Sequence, residues 1–202
     1  MGYCGVFFRR ALALLGLGLI LSGPAQAKVQ VLASIKPLAL IAQEVAGDLA
    51  TVDTLLPITA SPHDYPLKMS DHKRLRAADV VLWVGPEMES FLARPLSSLP
   101  ADKVITSYQL AGLHWPEEPQ DHDHHHSNHT HLGKDPHLWL DPRNAILIAQ
   151  VVAERLTQLQ PASAAQFRTN AQRFAATVEK LDQQLDAQLA PVKNVGFAVF
   201  HA

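Results

Sequence analysis

Cysteine is almost missing from this chain of 202 residues, with Cys4 as its single representative. One thiol closes no intramolecular disulfide, and beyond the N-terminal segment any metal site must do without thiolate ligands. Aromatic residues are also scarce at 6%, while the hydrophobic fraction is 48%, so the core of a globular protein must here be built of aliphatic side chains. Positive charge is not in excess. With 17 Lys+Arg against 19 Asp+Glu, the chain lacks the basic footprint of a nucleic-acid binder. It has no GxxxxGK[ST] loop to cradle a nucleotide. It also has no HExxH pair, and no glutamate stands as a general base beside two metal ligands, so no enzyme activity is expected. The apolar run Ala11–Leu21 spans eleven residues, well short of the about 20 needed to cross a bilayer.

That short run has another meaning. Arg9 and Arg10 precede it and Ala25-Gln26-Ala27 follows it, the layout of a secretory signal peptide over residues 1–27 with cleavage before Lys28. Export to the periplasm is the expectation. Cys4 lies before the apolar run, whereas the cysteine of a lipoprotein follows it. Losing Arg9 and Arg10 moves the formal charge from −2 to −4.

From Lys28 onward, strand and helix patterns alternate. "VQVLASI", "TVDTLLPI", "DVVLWVG" and "KVITSY" read as strands, and the third is a continuous apolar run suited to burial on both faces. Between them lie "PLALIAQEVAGD", with Pro37 in the first turn and Gly47 after the last, "SDHKRLRAA", with Ser70 as N-cap, and "PEMESFLARPLSSL", broken near Pro95. Strands separated by helices predict an α/β fold, a parallel sheet with helices on both faces. Asp141-Pro142 caps a further helix that runs up to Pro161. Phe167, Ala171, Phe174, Val178, Leu181, Leu185 and Leu189 then mark one amphipathic helix of about 25–28 residues, suited to a coiled coil or to a spine between two lobes. "NVGFAVF" opens another strand.

Residues 111–136 carry no periodic pattern. Within them "DHDHHHSNHTH" holds His122, His124, His125, His126, His129 and His131, in a loop placed at 115–133. Its internal position excludes an expression tag, and its composition suits metal collection more than an ordered coordination sphere. Such histidines can raise the local zinc concentration, sense occupancy, or act as a spacer. Three further histidines sit where an open parallel sheet binds ligands, beyond strands or before a capped helix: His63 in "TASPHDYPL", His137 in "DPHLWLDP" and His201 after "GFAVF". Neutral imidazoles suit zinc, with a fourth position left to a carboxylate or water. Each can also be an ordinary surface or helix-flanking histidine. Asp64 beside His63 reads as an orienting or capping group, and Trp83 and Trp139 as core.

"ITASPHDYPLKMSDHKRLRAADVVLWVGPEMESFL", "HLWLDP" and "FAVFH", in this order and around the histidine loop, resemble the zinc-binding periplasmic solute-binding proteins of ABC transporters, the ZnuA-type family. The resemblance covers Lys28 to His201. It implies two α/β lobes joined by a long helix, and a Zn²⁺ held between them by His63, His137 and His201. It further implies a monomer that delivers the ion to a membrane permease served by a separate ATPase. The family's third motif continues as "HDAY" where this chain reads "HA". The expected organisation is therefore a signal peptide at 1–27, an N-terminal lobe at 28–160, a linker helix at 161–190, and the start of a truncated second lobe at 191–202. A periplasmic zinc buffer working through the loop alone, and a manganese- or iron-binding relative, are the alternatives. Three histidines without an evident carboxylate favour zinc.

Overall fold

The computed structural model describes residues 27–115 and 134–196. The expected signal peptide as far as residue 26, the histidine tract, the strand expected at "GFAVF" and His201 lie outside these residues.

Four strands form one sheet: β1 (Val29–Ala33), β2 (Ala50–Thr54), β3 (Val80–Trp83) and β4 (Val104–Thr106), in the order β2-β1-β3-β4 and parallel throughout. Register runs Val29↔Ala50 and Ala33↔Thr54 on one side of β1, and Ala33↔Leu82 on the other. The central place of β3 follows from its composition, since Val80, Val81, Leu82 and Trp83 are all buried. The edge strands β2 and β4 keep partly exposed positions.

From β1 the chain steps one way to β2, then back across β1 to β3. Right-handed crossovers place the two connections on opposite faces. Accordingly, α1 (Lys36–Ala46) packs with α4 (Pro142–Leu159) and α5 (Ala164–Leu189), whereas α2 (Met69–Ala77) packs with α3 (Ser90–Ser97). In α1, Leu38, Ala39, Ile41, Ala42, Val45 and Ala46 are buried, the stripe a helix presents to a core. Gly47 ends it at φ 53°, a left-handed conformation that glycine adopts without penalty.

Three local expectations need correction. Lys68, not Ser70, occupies the N-cap of α2. The buried Asp71 reaches back to accept from the Lys68 N–H at 2.9 Å and from the Tyr65 hydroxyl at 3.3 Å, so a carboxylate in the third helical position satisfies the end. Helix α3 starts later than expected and continues through Pro95. Placed near the end of a short helix, Pro95 forfeits one internal bond, and the Ser98 hydroxyl takes up its carbonyl at 2.7 Å. The long helix has the expected length of 26 residues, but its apolar stripe is buried only in the first half. Phe167 and Ala171 are buried and Phe174 packs beside them, whereas Leu181, Leu185 and Leu189 are 52%, 43% and 56% exposed. The Asn170 side chain donates to the Val45 carbonyl at 2.9 Å, which fixes the first half of α5 to the end of α1.

Candidate metal centre

The loop carrying His63 leaves the carboxyl end of β2 and is tied down at both ends. The Leu55 and Leu56 N–H groups donate to the carbonyls of Ala33 and Ser34 at 2.8 and 3.0 Å. The Arg74 guanidinium, from α2, donates to the carbonyls of Thr54 and Leu55 at 2.7 and 3.2 Å. Two residues past His63, the buried Tyr65 packs against Phe91 and bonds Asp71. This anchoring leaves His63 exposed on an otherwise fixed loop.

His137 arrives from the opposite direction along the chain, just before the 3₁₀ turn Leu138–Leu140 that leads into α4. The rings of His63 and His137 meet edge to face with centroids 5.9 Å apart. Trp139 also packs edge to face against His137, with centroids 5.5 Å apart. Trp83 is buried as expected, with its indole N–H donating to Thr106 Oγ1 at 2.9 Å. Trp139, expected as core, is only partly buried and packs both against the core and against His137.

Asp135 holds His137 in two ways. Its Oδ1 accepts from the His137 backbone N–H at 2.9 Å and lies 2.7 Å from the ring Nδ1. A proton held on Nδ1 by a carboxylate puts the imidazole lone pair on Nε2, the arrangement that makes histidine a basic, oriented metal ligand. Asp64, expected to play this part for His63, is exposed and makes no such hydrogen bond. The orienting carboxylate belongs to the other histidine.

Sequence reasoning also passed over His114. Its backbone N–H donates to Asn144 Oδ1 at 2.7 Å, its carbonyl accepts from Asn144 Nδ2 at 2.8 Å, and its Nδ1 lies 2.7 Å from Asp141 Oδ2. Asp141, the N-cap of α4, also accepts from the N–H and guanidinium of Arg143. Burial pushes the Asp141 carboxyl up, but the bonds from Arg143 and His114 outweigh it and hold the group below the usual carboxylate range. Beside this clasp, the Tyr108 hydroxyl donates to the Lys134 carbonyl at 2.9 Å. The Trp115 ring packs against Tyr108 at 5.1 Å and lies under the Lys134 ammonium at 4.9 Å. Residues 115 and 134, which flank the tract, are thus held together at one point of the lobe. These contacts join residues about 30 positions apart, and no local pattern announces them.

Among the described residues no three His, Cys, Asp or Glu side chains converge as a metal-holding group. The lobe brings together His63 and His137. His201 and the six tract histidines lie outside the described residues.

The family model for zinc-uptake complex component A, periplasmic (ZnuA), matches residues 31–202. A high-affinity zinc uptake system protein ZnuA of Yersinia pestis is 35% identical over 207 aligned residues, covering 94% of this chain and 65% of its own length. The like-named protein of Haemophilus influenzae is 34% identical, with coverage of 90% and 66%. This chain thus spans about two thirds of the length of these relatives. Among solved structures, one of ZnuA superposes with a TM-score of 0.72 at 28% identity, covering 86% of this chain and 64% of that one. A zinc-bound ZnuA lacking residues 138–173 gives 0.71 at 28%, with coverage of 86% and 63%. With its parallel sheet, its long helix and a family match over nearly its whole length, the chain belongs to the periplasmic zinc-uptake component A family.

Proposed function

We propose that this chain is the zinc-capturing periplasmic component of a high-affinity ABC importer, exported by its signal peptide and working as a monomer. It captures Zn²⁺ as cargo and passes it to a membrane permease driven by a separate ATPase. Its role is binding rather than catalysis. The ligands are His63, His137 and His201. Residues 28–160 act as the metal-binding lobe, 161–190 as its spine, and 191–202 as the start of a further lobe. The tract from His122 to His131 is an accessory collector. One observation carries this reading: two imidazoles from distant loops meet at the carboxyl end of the sheet, one of them backed by a carboxylate at 2.7 Å. Paired imidazoles at this edge support a shared ligand, and four-coordinate zinc takes this donor type.

Zinc titration of the chain, of His63→Ala and His137→Ala, and of a form lacking residues 117–133 tests the proposal. Either alanine variant is expected to weaken the tightest site by tenfold or more, and loop removal to spare it. Loss of all binding on loop removal, with both alanine variants binding normally, refutes the histidine site and leaves the tract as the metal binder.

A further inference from the structure

Asp135 has a task that its side chain alone does little to secure. It orients His137 through Oδ1, yet that side chain is 73% exposed, and water competes for exposed carboxylates so well that such contacts hold weakly by themselves. The backbone supplies the restraint. Pro136 follows Asp135 and disfavours helical conformations for it. On the other side, the Lys134 carbonyl and the Asp135 N–H belong to one rigid peptide plane, and that carbonyl accepts from the Tyr108 hydroxyl at 2.9 Å. With the plane fixed before it and proline after it, the Asp135 carboxylate is held where it meets both the backbone N–H and the ring Nδ1 of His137.

Tyr108 is itself anchored in the lobe. It lies in the 3₁₀ turn Ser107–Gln109 that follows β4, and its N–H donates to the Val84 carbonyl at 2.8 Å. Its ring is partly buried against the core, and Gly85 makes room for it, since a Cβ there would stand 2.9 Å from the Tyr108 Cβ. A second contact holds Lys134: its ammonium lies 4.9 Å from the centroid of Trp115, whose ring packs on Tyr108. The geometry points to Tyr108 as a positioning residue of the metal centre, acting on His137 through the Lys134–Asp135 peptide and the Asp135 carboxylate. This inference rests on His137 as a ligand, proposed above, and adds a residue that sequence order places on the far side of the histidine tract.

Tyr108→Phe removes the hydroxyl and keeps the packed ring, while Asp135→Asn removes the charge of the orienting group. Two measurements on the full chain separate positioning from a general loss of structure. The first is made without zinc, on chain carrying isotope-labelled histidine, at a pH where the ring is neutral. Long-range nitrogen–proton spectra then report the tautomer of His137, assigned by the signal missing from His137→Ala. The wild-type ring is expected to carry its proton on Nδ1, and both variants to shift it towards the Nε2–H form. The second is metal-buffered titration of the tightest zinc site. Asp135→Asn is expected to lower affinity about tenfold and Tyr108→Phe about threefold, at or below the range found for groups that orient a metal ligand. The double variant is expected to bind no more weakly than Asp135→Asn, because losses along one path do not add. Wild-type tautomer or wild-type affinity in Tyr108→Phe overturns the inference, as does a double variant whose loss is the product of the two single losses. Zinc affinity indifferent to His137→Ala overturns the histidine site instead, and the two failures are distinguishable because the tautomer is read without zinc.

Discussion

Glu89 is fully buried at the start of α3, and replacing it with glutamine tests the electrostatics of the carboxyl edge of the sheet. Its Oε2 accepts from the backbone N–H groups of Val84 at 2.8 Å and Gly85 at 3.3 Å. Among the described residues neither its Oε1 nor the buried Ser34 hydroxyl has a hydrogen-bond partner, although Ser34 is near enough to favour the charged form. Burial pushes the carboxyl up from 4.5 to about 7, with Ser34 and the two backbone N–H groups offsetting only part of the rise. Between those values the native chain holds a proton that the unfolded chain releases. The resulting stabilisation is complete below pH 4.5 and is lost as pH rises through about 7. At about 1.4 kcal/mol per pH unit, the loss by pH 8 is on the order of 3 kcal/mol. Glu89→Gln keeps the shape and an acceptor for Val84 and Gly85, and removes the charge. Urea unfolding followed by circular dichroism from pH 5 to 8 provides the measurement. The difference between the two proteins cancels the histidines, which titrate in both. The variant is expected to gain on the wild type steadily as pH rises, with the gap widest at pH 8. Two stability curves that stay parallel from pH 5 to 8 would refute the reasoning, since Glu89 would then ionise alike in the native and unfolded chains.

Phe167→Ala removes a ring that is 0% exposed and is expected to cost about 3–5 kcal/mol. Leu185→Ala, on the exposed half of the same helix, should stay within about 0.5 kcal/mol, and equal losses in urea unfolding would show that the whole stripe is packed. Asp141→Ala removes the cap of α4 and the partner of His114, and should cost about 1–2 kcal/mol at neutral pH. Because the wild-type carboxyl lies below its ordinary 3.8, its contribution is present above that pH and is lost as the solution is acidified below it. A deficit in Asp141→Ala that persists unchanged at pH 2 would contradict this. Gly47→Ala forces a side chain into φ 53° with the new Cβ 3.4 Å from Asn170 Nδ2, and should lower the thermal midpoint by several degrees, for a cost on the order of 1 kcal/mol.

Pattern in the chain was enough for whatever depends on neighbours a few residues apart. The all-apolar β3, the stripe and terminal glycine of α1, the Asp141-Pro142 start of α4 and the length of α5 are each set by local periodicity or capping chemistry. The parallel order of the sheet followed because strand–helix–strand units close in one hand. Local reading failed where a different side chain took over an expected job. Asp71 satisfies the end of α2 in place of Ser70 by turning back into a buried pocket with Tyr65. Half of the α5 stripe is covered because α1 and α4 reach that far and no farther among the described residues. His63 and His137 could be picked out by their positions after a strand and before a cap. That their rings meet, and that His114 clasps Asp141 and Asn144, are decided by how loops some 30 to 75 residues apart converge, whereas the orienting Asp135 lies only two residues from His137. Side-chain chemistry is written residue by residue, but the direction in which a donor points depends on which strand ends lie side by side, and that order exists only once the sheet has formed.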